Sequence, residues 1–161
     1  IAQAAKLRLE LNGMKVLILD GDAVRSELHM DLGFSESDIK ENNRLILELC
    51  LKHQKKYNII LVPIISPFIH SRSEARKKLG TKYFEIHLDA SLKILHKRDT
   101  KGLYKKARNN QIDNLIGVSK KSKYEPPTNP DLRINTEKSM EENSINLFYN
   151  FVLDSYKKDS V

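Results

Sequence analysis

Short, unbroken apolar runs alternate along this chain with stretches in which apolar residues recur at helical spacing. The runs are Lys15-Val-Leu-Ile-Leu-Asp20, Asn58-Ile-Ile-Leu-Val-Pro-Ile-Ile65 and Tyr83-Phe-Glu-Ile-His-Leu-Asp89, with a weaker fourth at Leu132-Arg-Ile-Asn135. Runs of this kind suit strands covered on both faces in a parallel sheet. Helices are predicted over Ala2 to Leu11, stopped by Asn12-Gly13, and from Ser35, whose spacing to Asp38 makes a capping box, to about Lys55. Others are predicted over Ser91 to Lys97, over Gly102 to Asn109, and from Ser139, paired with Glu142, to about Tyr156. The proline-bearing stretch from Gly117 to Asp131 reads as a surface loop. Strands alternating with helices predict an α/β fold, doubly wound, with a mainly parallel sheet flanked by helices. In such sheets ligands gather at the carboxyl ends of the strands. Those ends here carry Asp20-Gly-Asp22, Ile65-Ser-Pro67 and Asp89.

A length of 161 residues fits one domain, 1–161, and 40% hydrophobic with 30% charged residues excludes a disordered or fibrous chain. The first helix opens at Ile1 with no capping residue and no initiator methionine, so the expectation is that residues are missing upstream. No apolar run approaches the ~18 residues of a membrane span. The single Cys50 cannot form an internal disulfide, which fits a cytoplasmic protein. A net charge of +7 calls for an anionic partner, either nucleic acid or a small phosphorylated metabolite. Tyr and Phe are scattered rather than interleaved with the cations, so a nucleic-acid stacking surface is unsupported. The five histidines show no zinc-ligand spacing.

Asp20 and Asp22 flank a glycine at the end of the first run, where a carboxylate can orient Mg²⁺ or take a proton from an attacking hydroxyl. The plainer alternative is that Asp22 caps a helix starting at Ala23. Arg25 follows at a spacing that could present its planar fork to a phosphate, or simply to solvent. The segment from Asp99 to Arg108, with Lys101, Lys105, Lys106 and Arg108, reads either as a lid over phosphates or as a solvated helix face.

Taken together, the motifs resemble the adenylylsulfate kinase family. The residues that carry the resemblance are Asp20-Gly-Asp-Ala-Val-Arg25, Asp31-Leu-Gly-Phe-Ser35, Glu41-Asn42, Ile65-Ser-Pro-Phe68, Arg98-Asp-Thr-Lys-Gly-Leu-Tyr-Lys-Lys-Ala-Arg108 and Tyr124-Glu-x-Pro127. They occur in the family's order across nearly the whole chain. The resemblance implies a P-loop NTPase-like kinase, usually a homodimer, that moves the γ-phosphoryl of MgATP to a ribose 3′-hydroxyl. It places the phosphate-cradling loop and the strand before it upstream of Ile1, and makes 99–117 a lid with a basic helix. By the same resemblance Asp22 is the base toward the 3′-hydroxyl, and Asp20 supports it or a metal-bound water, with no direct metal ligand. Arg25 and Asn42 contact the acceptor's phosphate and ribose, Phe34 stacks on its base, and Ile65 and Ser66 line the cleft near the transferring phosphoryl. Lys101, Lys105, Lys106 and Arg108 belong to the lid, and Arg98 is a further nucleotide contact.

Two positions depart from the family pattern. Where the family reads D-R-x-E-N after its Phe-Ser, this chain has Asp38-Ile-Lys-Glu-Asn42, so Ile39 replaces an acceptor-contacting arginine. Where the family often reads N-F-T-G, it has Asn114-Leu-Ile-Gly117, so Leu115 replaces the second aromatic face. A base–aromatic stack is worth about 1–3 kcal/mol and a charge-assisted hydrogen bond about 1.5–3 kcal/mol. The expectation is therefore a changed acceptor, cytidine 5′-diphosphoramidate of capsule phosphoramidate biosynthesis, with Asn43 reading the pyrimidine edge. The alternative is the ordinary acceptor, adenosine 5′-phosphosulfate, with compensation from Lys40 or Asn43. A basic nucleic-acid-binding module and a silent scaffold are the remaining classes.

Overall fold

The computed structural model describes residues 1–119 and 122–159; residues 120 and 121 of the expected 117–131 loop lie outside the described residues. The elements are α1 (Ala2–Leu11), β1 (Val16–Ile18), α2 (Gly21–Glu27), α3 (Glu36–His53), β2 (Ile59–Leu61), α4 (Ile69–Leu79) with a short 3₁₀ turn at Gly80–Lys82, β3 (Ile86–Asp89), α5 (Leu92–Arg98), α6 (Leu103–Arg108), β4 (Leu132–Asn135) and α7 (Glu141–Asp159). All four expected strands are present, most of them shorter than their apolar runs. β2 stops before Pro63, whose missing N–H cannot extend a ladder.

The strands pair in parallel as two separate ribbons, β1 with β2 (Val16 opposite Ile59) and β3 with β4 (Ile86 opposite Leu132). A cleft of about 2100 Å³ separates them, and residues of both β2 and β3 line it. α1 and α7 bridge the two ribbons: Ala5, Leu9 and Phe148 pack with Val16 and Leu61 of the first and with Ile134 of the second. A smaller cluster, Leu19, Val24, Ile46 and Cys50, fastens α2 and α3 to the first ribbon. Burial pushes the Cys50 thiol up to about 11, so it is a core residue and not a reactive one.

α3 starts with the expected capping box. Ser35 Oγ accepts from the Asp38 N–H (3.2 Å) and the Asp38 carboxylate accepts from the Ser35 N–H (3.1 Å). Its inward stripe runs Ile39, Asn42, Asn43, Ile46, Leu47 and Cys50, so two buried amides interrupt an otherwise apolar face. Where α3 was legible, α4 was not. The pattern carries no amphipathic stripe over 69–79, because the residue that α4 buries is Arg72.

Candidate active site

The turn after β1 resolves the choice between the two carboxylates. Asp20, not Asp22, is the helix cap: its Oδ1 accepts from the N–H groups of Asp22 (3.0 Å) and Ala23 (3.2 Å), and α2 begins at Gly21. The plainer expectation, that Asp22 caps a helix from Ala23, is corrected: cap and helix start both lie two residues upstream. Gly21 is required there by crowding, since a Cβ would lie 2.5 Å from Ile64 Cγ2. α2 is thereby laid directly on the chain leaving β2, with the Gly21 N–H donating to the Pro63 carbonyl (3.1 Å). The Asp22 carboxylate takes no part in capping, is 77% exposed, and forms an ion pair with Lys101. An exposed pair of this kind is worth about 0–1 kcal/mol and separates readily for a ligand.

Lys101 is carried by the turn between α5 and α6. Asp99 closes α5 in the left-handed region (φ 24°), and its carboxylate accepts from the Tyr104 and Lys105 N–H groups (3.0 Å each), so it also opens α6. Desolvation works upward on this carboxyl, but the N–H groups of Lys105 and Tyr104 outweigh it and hold Asp99 below the usual carboxylate range. Lys105, Lys106 and Arg108 are exposed on α6. Arg98 is turned to β4's end instead, with both Nη atoms on Thr136 (Oγ1 3.1 Å, carbonyl 2.5 Å).

Arg25 and Phe34 come together, the guanidinium 4.8 Å from the ring centroid, and Arg25 also donates to the carbonyls of Leu32 (3.2 Å) and Gly33. Phe34 stays 55% exposed. Asn42 is buried with its Oδ1 2.8 Å from His29 Nδ1, and Asn43 donates to Ser66 Oγ (3.0 Å). Asp20, Asn43, Ile65, Ser66 and Arg98 line the cleft between the ribbons, while Asp22, Arg25, Phe34, Lys101 and Leu115 lie outside its lining. Leu115 is half-buried, its N–H on Ser119 Oγ (3.0 Å). Ile39 is 5% exposed, on the inward stripe one turn before Asn42 and Asn43. Among the described residues no three His, Cys, Asp or Glu side chains gather to hold a cation.

Sequence reasoning passed over His29, Arg72, Glu85 and His87, and met Glu125 only as part of the Tyr124-Glu-x-Pro127 block, with no role assigned to it. The first four have no motif signal of their own, and all five matter through a partner distant in the chain. His87 Nε2 lies 3.2 Å from the Tyr124 hydroxyl, and its buried Nδ1 has no hydrogen-bond partner. Burial, reinforced by Arg133, pushes the His87 pKa down. The unfolded chain then binds a proton near pH 6.5 that the folded chain refuses, so stability is full above that pH and falls as pH drops below it. Thermal melts at pH 7.5 and 5.5 are expected to show a larger loss of Tm for the wild type than for His87→Phe. Equal losses would remove His87 as the cause.

An adenylylsulphate kinase family profile matches residues 1–135. The adenylyl-sulfate kinase of Clostridium acetobutylicum is 39% identical over 145 residues, covering 90% of this chain and 72% of that protein. The adenylyl-sulfate kinase of Prochlorococcus marinus is 44% identical over 137 residues, covering 84% and 67%. Among solved structures, the Mycobacterium tuberculosis APS kinase CysC in complex with AMPPNP and APS superposes with a TM-score of 0.84 at 34% identity, covering 94% of this chain and 87% of that one. With the strand-end aspartates, the capped α3 and the basic α5–α6 turn in the family's order, this P-loop kinase fold places the chain in the adenylylsulphate kinase family.

Proposed function

We propose that the protein is an ATP-dependent kinase that phosphorylates the ribose 3′-hydroxyl of adenosine 5′-phosphosulfate. The observation that carries this reading is the Asp22 carboxylate, free of the helix cap and set opposite the lid's Lys101. A carboxylate there can take the hydroxyl's proton as it attacks, and Lys101, released from it, can turn to the transferring phosphoryl. The adenylyl-sulfate names of the relatives support the acceptor. The case for cytidine 5′-diphosphoramidate and capsule biosynthesis rested on Ile39, Asn43 and Leu115, and it is weakened by two placements. Ile39 is buried, and the Asn43 amide nitrogen is engaged by Ser66 rather than offered to a base edge.

The two ribbons support a further part of the proposal. A strand and phosphate loop upstream of Ile1 would fill the cleft between β2 and β3 and complete one parallel sheet. Mg²⁺ would arrive with the ATP phosphates and neutralise their charge. Asp20 has Oδ1 held in the cap, and its other oxygen would be the one to reach a metal-bound water. Arg25 and Phe34 would face the acceptor's phosphate and base, and Lys105, Lys106 and Arg108 would close over ATP. A homodimer in the cytoplasm completes the reading; among the described residues no helix is long and apolar enough to cross a membrane.

The test compares kcat/KM of the full-length protein with MgATP for adenosine 5′-phosphosulfate and for cytidine 5′-diphosphoramidate at fixed ionic strength. A preference for the second overturns the acceptor proposed here. Ile39 is 5% exposed on the inward face of α3 and outside the cleft lining, so Ile39→Arg is expected to lower Tm and to bring no gain in KM for adenosine 5′-phosphosulfate. A folded variant with KM lowered about tenfold, the worth of one charge-assisted hydrogen bond, would instead make position 39 part of the acceptor site.

A further inference from the structure

α4 buries an arginine where a helix of this kind normally buries a leucine, and that arginine meets three separate pieces of chain. Arg72 is 8% exposed. Its Nε pairs with the Glu85 carboxylate just before β3 (3.0 Å), Nη1 donates to the Ser66 carbonyl (2.7 Å), and Nη2 donates to the Glu125 carbonyl (2.8 Å). The two loops are also joined directly. The Glu125 N–H donates to the Pro67 carbonyl (2.8 Å), and the Glu125 carboxylate accepts from the Ile69 N–H at the start of α4 (2.7 Å). Glu125 thus does at α4's N-terminus what the chain itself does not do, since Phe68 supplies no side-chain cap.

These contacts reach further than the two loops. Ser66 Oγ receives Asn43 from α3. The Gly117 N–H donates to the Ser122 carbonyl (2.8 Å), and a Cβ on Gly117 would stand 3.3 Å from Tyr124. One guanidinium therefore braces the Ile65–Ser66 turn and, through Glu125, the run that leads back to Leu115. A planar fork with five donors can serve three diverging acceptors at once, and a lysine ammonium cannot reproduce that geometry.

We propose that Arg72 is a positioning residue for acceptor binding, holding the Ser66–Pro67 turn and the Tyr124–Glu125 loop in one fixed relation while Glu85 balances its charge. The proposal rests on the reading of Ile65, Ser66 and Leu115 as the acceptor side of the site. Arg72 touches no substrate. It acts through two main-chain carbonyls, each of which would lose its partner in a partly buried place without it.

The test uses Arg72→Lys in the full-length protein, with steady-state kinetics for both substrates and amide hydrogen exchange. KM for the nucleotide acceptor is expected to rise about tenfold or more, as for a lost charge-assisted hydrogen bond, while KM for MgATP stays within about twofold. Exchange is expected to accelerate together in 65–69 and in 122–127, with α1 and α7 unchanged. Parallel rises in both KM values, or loosening of one loop without the other, would make Arg72 a general stability brace and overturn the proposal. If Arg72→Lys does not fold, Glu85→Gln keeps an oxygen for Nε and removes the balancing charge. It is expected to raise acceptor KM about threefold with the same paired loosening. A wild type that phosphorylates neither nucleotide overturns the acceptor reading instead, and paired or unpaired exchange then decides the clamp by itself.

Discussion

Asp22→Asn is expected to lower kcat by about 10²–10⁴-fold, the usual contribution of a positioned general base, while KM for MgATP changes little. The substitution keeps the size and polarity of the side chain and removes its charge and its capacity to take a proton. It does not disturb the helix, because Asp20 supplies the cap and Asp22 contributes to α2 only its main-chain N–H. The ion pair with Lys101 is exposed at both ends, so its loss has little effect on stability. Asp20→Asn is the informative companion. Asparagine caps as well as aspartate does, so the fold should hold, and any loss of rate reports on the carboxylate and not on the turn. Retention of more than about a third of wild-type kcat in Asp22→Asn, far above the loss expected for a base, would remove Asp22 from that role.

The largest expected effect on stability comes from Leu9→Ala. Leu9 is fully buried on α1 and packs in the cluster that joins Val16 and Leu61 of one ribbon to Ile134 of the other. Truncation there removes apolar burial and opens a cavity that relaxes only in part, at a cost of about 2–5 kcal/mol. Against a typical total of about 5–15 kcal/mol that is a large fraction. Urea unfolding should show a lower midpoint with an unchanged slope. Leu7→Ala, on the same helix but 64% exposed, is expected to stay within about 0.5 kcal/mol of wild type. If the two variants matched, α1 would not be the element that holds the ribbons together.

The helices that announced themselves did so through local chemistry. Ser35 and Asp38 sit three residues apart and their reciprocal bonds form within one turn, so α3's start needs nothing beyond its own segment. Asn12-Gly13 stops α1 where expected, Gly13 taking a left-handed backbone (φ 78°). β4 has the expected bounds. The apolar runs around β1, β2 and β3 overstated the strands, because hydrophobicity marks burial whereas a ladder needs a paired neighbour. Leu19 continues the apolar neighbourhood of β1 without belonging to the strand.

Residue order and type by themselves determined the alternation of parallel strands and helices, the carboxylates at the end of β1, the basic turn at 99–108 and the kinase family. Each is written in contiguous residues whose chemistry is local. Only the tertiary structure decided which aspartate caps α2, that Ile39 is buried, that Asn43 is taken by Ser66, and that α4 exists as a helix around Arg72. Those outcomes depend on partners far apart in the chain: Asn43 and Ser66 are 23 residues apart, Arg72 and Glu125 are 53 apart, and Asp22 and Lys101 are 79 apart. A buried arginine looks like a surface arginine until its acceptors arrive, because the burial that makes its hydrogen bonds matter is created by the fold that brings those acceptors to it.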